Sequence, residues 1–322
     1  MSRVDLVYSG QEEIRLDHYL VTQFPDRSRS QIQRMVKDQL VTVNEEIARS
    51  SYKLQINDRI AIVQIDRPAE ITHIEPEKIS LNIVFEDDEI IVINKPAGLL
   101  VHPGTGQSTG TLVHGLAYHC KDLSNINGAI RPGIIHRLDQ ETSGIMVAAK
   151  INRAHKHIAD QFQKRSLEKK YIGITWGEWN EKDGVIDKPL KRSRKDATSY
   201  IVDENGRTAS THYKVIKEFR YMSHVEFYPK TGRTHQIRVH ASAMNHPIVH
   251  DMKYNGGENR LKGFLPEVKR DLLQLLKLLG RHALHAHQLS FQHPSSGKKM
   301  NFEAEIPGDI QQLMDHLTEN YG

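Results

Sequence analysis

The chain has 322 residues, enough for about two domains, each with a core of its own. With 38% apolar and 26% charged residues it has a globular make-up, and no uncharged apolar run approaches the roughly 18 residues that a membrane span needs. The single cysteine, Cys120, excludes an intramolecular disulfide and leaves almost no room for a thiolate zinc site, and the net charge of +4 permits a polyanionic partner without requiring one.

The opening residues MSRVDLVYSGQEEIRL lack the apolar stretch of a signal peptide, so a cytoplasmic location away from membranes is expected. Leu16, Tyr19, Leu20 and Phe24 then form one helical stripe that ends at Pro25-Asp26. Ser28, with Gln31 three residues on, has the pattern of a capped helix start. The helix that follows buries Ile32, Met35, Val36 and Leu40. Arg34 and Lys37 lie on its other face, with Arg27 and Arg29 at its start. Val41 and Val43 lead to a turn at Asn44, and Leu54, Ile56, Ile60 and Ile62 alternate around Asn57-Asp58 as in a hairpin. Residues 1–67 hold ten Lys/Arg and ten Asp/Glu, so any affinity for nucleic acid there must come from the local cluster Arg27, Arg29, Arg34 and Lys37. On charge alone, a solvated helix face is the plainer reading of that cluster.

The proline-containing stretch 68–80 reads as a linker, and 81–322 as a second domain. In it a hairpin is expected over 83–93, with further strands at 144–149, 171–176, 210–215 and 224–228. Helices are expected near 152–164, 235–245 and 267–279, the last leucine-rich and expected to be buried. Strands and helices mix without a βαβ rhythm, which favours α+β.

Nucleotide-loop and HExxH signatures are missing. His282, His285 and His287 are metal-ligand types without a ligand frame, so no metal is expected. In PGIIHRLDQETSGIMVAAK (132–150) an apolar run ends in His136-Arg137-Leu138-Asp139, a polar turn follows, and an apolar strand begins. Arg137 and Asp139 share one side if this piece is extended, and a carboxylate on a rigid loop is placed as a nucleophile or base. A structural Arg–Asp pair in a turn is the plainer alternative. In TGRTHQIRVHASAMNHP (231–247) Arg233 and Arg238 stand near a helix start, where backbone N–H groups also favour anions. Basic residues recur at 164–170 and 188–195, as in proteins that contact phosphates.

Five segments in order resemble the large-ribosomal-subunit type of pseudouridine synthase, the RluA/RluD family: INKPAGLLVHPG (93–104), PGIIHRLDQETSG (132–144), KKYIG (169–173), TGRTHQIRVH (231–240) and LHAHQLSFQHP (284–294). Residues 14–62 resemble the alpha-L RNA-binding domain of ribosomal proteins. The resemblance implies an α+β catalytic domain on a long, mostly antiparallel sheet with flanking helices, preceded by the small RNA-binding domain. It implies Asp139 as the catalytic aspartate, Tyr171 against the uracil, Arg238 paired with Asp139, and Arg137 entering the RNA stack when the uridine leaves it. RNA contacts are further expected at Arg233, His235 and the basic helix of the front domain. It implies no metal or organic cofactor, a monomer, and large-subunit ribosomal RNA or its precursor particles as partner. Transfer RNA, a binding-only assembly role and a glycosidase are the alternatives. The family pattern is departed from at His250-Asp251, where a glycine usually precedes the aspartate, at Thr175-Trp176, and in the long segment 261–279.

Overall fold

The computed structural model describes residues 2–24, 29–64, 73–104 and 106–322. The expected helix stop at Pro25-Asp26, the Ser28 cap, Arg27 and the first part of the linker lie outside the described residues. The chain divides into two compact units, Met1–Glu70 and Ile71–Gly322.

The first unit runs β1 (Ser2–Val7), β2 (Ile14–Arg15), α1 (Leu16–Gln23), α2 (Arg29–Lys37), β3 (Val41–Val43), β4 (Glu46–Ile47), β5 (Lys53–Leu54) and β6 (Arg59–Gln64). Leu16 and Leu20 of α1 and Ile32, Met35 and Val36 of α2 are buried against Val41, Val43, Ile60 and Ile62. The 3.6-residue stripes therefore form the core as their spacing predicts. The hairpin expected over 54–62 does not form. Asn57-Asp58 does turn the chain, with Asn57 at φ 70°, but β5 pairs with β2 while β6 pairs with β1 and β3. Alternation marks which face is buried, not which strand lies alongside, and Ile56 is exposed. Asp17 is fully buried and receives hydrogen bonds from Arg15, Arg29 and Gln33, at 2.7 Å for Gln33, which tie α1 to α2.

The second unit runs β7 (Ile83–Glu86), β8 (Ile90–Lys95), α3 (Leu112–His119), β9 (Ser143–Ala149), α4 (Asn152–Lys164), β10 (Glu168–Trp176), β11 (Asp183–Asp187), β12 (Leu190–Arg192), β13 (Tyr200–Val202), β14 (Ser210–Glu218), β15 (Met222–Pro229), α5 (Gln236–Ala243), α6 (Pro266–Leu279), β16 (Leu284–Gln292), β17 (Lys299–Glu303) and α7 (Gly308–Tyr321). Ile74 is buried in its core, so the chain after residue 72 packs on this unit. The sheet has nine strands in the order β11-β14-β15-β10-β16-β9-β8-β7, with β17 beside β16. Every pairing is antiparallel except β9 with β16. This is the long, mostly antiparallel sheet of an α+β domain.

The parallel contact joins the sheet's two halves and is short, His285 opposite Ser143 and Ala286 opposite Gly144. Gly144 sits at φ 122°, and a Cβ there would lie 2.2 Å from the Ala286 carbonyl oxygen, so only glycine lets the strands meet. The expected loop 136–142 thus leads directly into the middle of the sheet. In α6, Leu272, Leu275, Leu276 and Leu279 are buried and Leu278 is exposed, so the leucine-rich segment is chiefly a core helix. The departures at Thr175 and Trp176 are core as well: both are buried, and the Trp176 indole donates to the Gly256 carbonyl at 2.7 Å.

Candidate active site

The loop before β9 is held by polar contacts at nearly every residue. The His136 imidazole accepts from the Val147 amide at 3.1 Å and lies 4.7 Å from the Phe162 ring. Burial pushes its pKa down to about 3, so it is a neutral strut. Leu138 points into the core, and Arg137 and Asp139 on either side turn away from it, Arg137 exposed and Asp139 half-buried, as an extended piece requires. Two cations fix the next two carbonyls. The Lys95 ammonium, wholly buried, donates to the carbonyls of Pro96, Leu99 and Gln140 at 2.8–2.9 Å. The Arg281 guanidinium donates to the Glu141 carbonyl at 3.2 Å and is itself paired with Asp309 of α7. The Thr142 hydroxyl meets His282 Nε2 at 2.7 Å and the Ser143 hydroxyl meets His285 Nδ1 at 2.9 Å.

Asp139 therefore stands on a rigid support. Its Oδ2 accepts from Arg238 Nη1 at 2.9 Å, and its Oδ1 lies 3.8 Å from His235 Nε2. Arg238, 9% exposed, projects from α5, and its Nε and Nη2 clasp Asp251 at 2.7 and 2.9 Å. One planar fork thus bridges two carboxylates and makes two bonds to one of them, a bidentate geometry that a lysine ammonium does not reproduce. Burial pushes the Asp139 carboxyl up, but His235 and Arg238 outweigh it and hold the group below the usual carboxylate range. Burial also keeps His235 below the ordinary histidine value, so at neutral pH the charge beside Asp139 is that of Arg238. Burial would lower the Arg238 pKa, but the hydrogen bonds and charges of Asp251 and Asp139 raise it, so the guanidinium is always protonated.

These groups line a cleft of about 180 Å³ with Tyr171 of β10, Lys169, Arg137 and Arg233 at its walls. Burial, and then the Asp139 charge, push the Tyr171 phenol up, so it presents a neutral ring. Arg137 is exposed, and its Nη1 donates to His102 Nε2 at 3.0 Å, while His102 Nδ1 faces the Pro103 carbonyl. Arg233 is held by the Thr208 carbonyl at 3.1 Å. The expected residues Asp139, Tyr171, Arg238, Arg137, Arg233 and His235 therefore meet in one place. In the front unit, Arg34 and Lys37 are exposed, while two nitrogens of Arg29 are occupied by Asp17.

Three functional features were not among the expected residues. Asp251 is 1% exposed and sets the Arg238 fork. The aspartate was visible as the one after His250, and the reason for a glycine before it is now plain: His250 has φ 61°, the left-handed region glycine enters freely. Lys169 lies on the Tyr171 face of β10, and burial lowers its pKa to about 8. The histidines 282 and 285, read above as weak metal candidates, instead bind the hydroxyls of Thr142 and Ser143 beside Asp139, and burial pushes them to about 3 and 4. Among the described residues no group of three or more His, Cys, Asp or Glu is arranged to hold a metal ion. Dialysis against excess chelator is accordingly expected to leave turnover unchanged, and recovery of a lost rate on adding zinc would overturn this.

Residues 89–243 match the RNA pseudouridylate synthase family and residues 14–60 match the S4 domain. The chain is 38% identical over 321 residues to an uncharacterized RNA pseudouridine synthase of Bacillus subtilis (strain 168), which spans 99% of this chain and 100% of that one. The chain belongs to the RNA pseudouridine synthase family. It is also 38% identical over 309 residues to the ribosomal large subunit pseudouridine synthase D of Pasteurella multocida (strain Pm70), covering 95% of this chain and 92% of that one. Among solved structures, the human RNA pseudouridylate synthase domain containing 4 protein superposes with a TM-score of 0.56 at 29% identity, over 74% of this chain and 93% of that one. The synthase is thus an isomerase that converts uridine in RNA to pseudouridine. No helix among the described residues is long and apolar enough to cross a membrane.

Proposed function

We propose that the synthase modifies uridines of large-subunit ribosomal RNA in the cytoplasm, as a monomer, with Asp139 as its catalytic group. The observation that carries the assignment of Asp139 is its geometry: it lines the cleft, with one oxygen held by Arg238 at 2.9 Å and the other without a hydrogen bond among the described residues. The reaction breaks the N1–C1′ bond, turns the uracil and joins C5 to C1′. The C5 proton is lost and N1 gains one, so the net change is an isomerisation. Asp139 Oδ1 either attacks C1′ or removes a ribose proton, and both need the carboxylate. A uridine must first leave its stack, which costs a few kcal/mol. Arg137, planar and exposed at the rim, is placed to stack in the gap, and Tyr171 is placed to lie against the uracil. Asp139 is the only carboxylate lining the cleft among the described residues, which disfavours a two-carboxylate glycosidase. Ribosomal RNA as substrate is supported by the names of the full-length relatives and by the match to the S4 domain. Mapping pseudouridines in ribosomal and transfer RNA from cells lacking the gene tests it: loss from transfer RNA alone would refute the substrate, and no turnover on any uridine RNA would refute an enzyme.

Residues 1–67 are proposed to add RNA contacts through Arg34 and Lys37, with Arg27 and the exposed part of Arg29, and 81–322 to hold the chemistry. The front unit's apolar core is its own. Its removal is expected to weaken RNA binding and flatten the salt dependence by about 0.7–0.9 log units per lost phosphate contact. Single-turnover rates at saturating RNA should stay within about threefold of the full chain. A hundredfold drop there would place the front unit in the catalytic cleft.

A further inference from the structure

His235 lies just before α5 in the left-handed region, at φ 57°, a conformation uncommon for a side chain of this size and concentrated at functional sites. Its ring is fixed from behind. Its Nδ1 lies 2.6 Å from the Tyr254 hydroxyl, and that oxygen accepts the Tyr200 amide at 3.0 Å. Burial pushes the phenol up to about 12, so it keeps its proton, and Nδ1 is the acceptor that receives it. The proton of the neutral imidazole is therefore on Nε2. Tyr254 also underlies Arg238, whose guanidinium carbon is 5.0 Å from its ring centre. One tyrosine thus contacts both neighbours of the aspartate.

His235 Nε2–H faces Asp139 Oδ1 across 3.8 Å, too far for a hydrogen bond. A donor and a charged acceptor at that separation suit a hydroxyl, of water or of a substrate that displaces it, which accepts from Nε2–H and donates to Oδ1, each at about 2.7–3.0 Å. An ammonium group has no lone pair for the histidine, and a carbonyl has no proton for the aspartate. The nucleoside that must enter this cleft carries such a hydroxyl beside its reacting carbon, on C2′. We propose that His235 Nε2 and Asp139 Oδ1 together grip the 2′-hydroxyl of the target ribose, so that this pair selects ribose over deoxyribose and sets Oδ1 alongside the C1′–C2′ edge. The inference rests on the function proposed above. It assigns the RNA contact expected at His235 to the 2′-hydroxyl and adds a positioning role for Tyr254, and the same 2′-hydroxyl is what lets a protein tell RNA from DNA.

The test is a cycle between protein and substrate. The probe is a short RNA hairpin with one uridine that the wild-type chain converts, made with either ribose or 2′-deoxyribose at that uridine alone. Rates are read in single turnover at saturating RNA, and dissociation constants are read separately. His235→Asn keeps a residue suited to the left-handed backbone and withdraws the Nε2 donor. It should be slower on the ribose hairpin by tenfold or more, and its dissociation constant should change less than threefold when the 2′-hydroxyl is removed. The wild-type chain should lose tenfold or more on the 2′-deoxy hairpin, and His235→Asn less than threefold further. His235→Gln, whose amide reaches the same place, should recover part of both effects. Tyr254→Phe, which keeps the ring under Arg238, should reduce discrimination between the two hairpins. Equal sensitivity to the 2′-deoxy substitution in wild type and His235→Asn overturns the proposal, as does a wild-type rate in His235→Asn. If the 2′-deoxy hairpin is inert, the ratio of ribose to deoxyribose affinity in the two proteins decides the matter by the same criterion. A wild-type chain that turns over no RNA refutes the function proposed above, and the affinity ratios still judge this grip.

Discussion

Asp139→Asn is expected to abolish multiple turnover, a loss of about four orders of magnitude or more, equivalent to roughly 5.5 kcal/mol of transition-state stabilisation. RNA affinity should remain within about threefold. The amide keeps the size of the side chain and can still accept from Arg238 through its carbonyl oxygen. Arg238 also keeps both bonds to Asp251, so the cation is not left alone in the interior. The loop itself is carried by Lys95, Arg281, His282 and His285, none of which hydrogen-bonds the Asp139 carboxylate. What disappears is the charge and lone pair of Oδ1. Stability measured by thermal unfolding should change little, which separates a chemical loss from a folding one. Sustained turnover by this variant would show that the reaction runs through another group.

Much of this site is legible along the chain because its parts are local. The run His136-Arg137-Leu138-Asp139 shows one apolar residue between two that face outward, and the structure keeps that alternation. The stripes of α1, α2 and α4 need only the 3.6-residue period. What is not legible is what crosses the sheet. The contact between β9 and β16 spans some 140 positions, and no local pattern announces that His282 and His285 will hold the hydroxyls of Thr142 and Ser143. Lys95 looks like a surface lysine until its ammonium is found among three carbonyls. Neither α3 nor α7 is among the predicted elements. In α3 Leu112, Val113, His114, Gly115 and Leu116 are all buried, so no polar face marks its turn. In α7 the stripe Ile310, Leu313, Leu317 is readable, but its use as the seat of Asp309, which braces Arg281, is not. The failed hairpin at 54–62 has the same origin: burial is local, pairing is not.

Arg238→Ala should have the second largest effect, and it carries a sign in pH. In the wild-type synthase the cation holds the Asp139 carboxyl below the usual range against the push of burial. Activity that requires the carboxylate is then full at neutral pH and is lost only as pH falls through that depressed value. Without the guanidinium, burial is opposed by His235 and His282 alone, so the carboxyl pKa rises from its depressed value. The acid limb of the pH–rate profile should therefore shift upward, with activity at neutral pH down by about a hundredfold and partly regained toward alkaline pH. The alanine also strands Asp251, 1% exposed, without its partner, so the fold should lose about 3–5 kcal/mol. Arg238→Lys and Asp251→Asn separate the two effects. The lysine keeps a charge but not the fork, so the bidentate clasp on Asp251 that orients the cation is lost. Asp251→Asn leaves Arg238 charged and beside Asp139 while loosening its orientation. It should lower the rate about tenfold with little movement of the acid limb, because the cation that sets the Asp139 titration is still there. A wild-type rate at neutral pH in Arg238→Ala, or an acid limb that shifts as far in Asp251→Asn as in Arg238→Ala, would break the link between this ion pair and the chemistry.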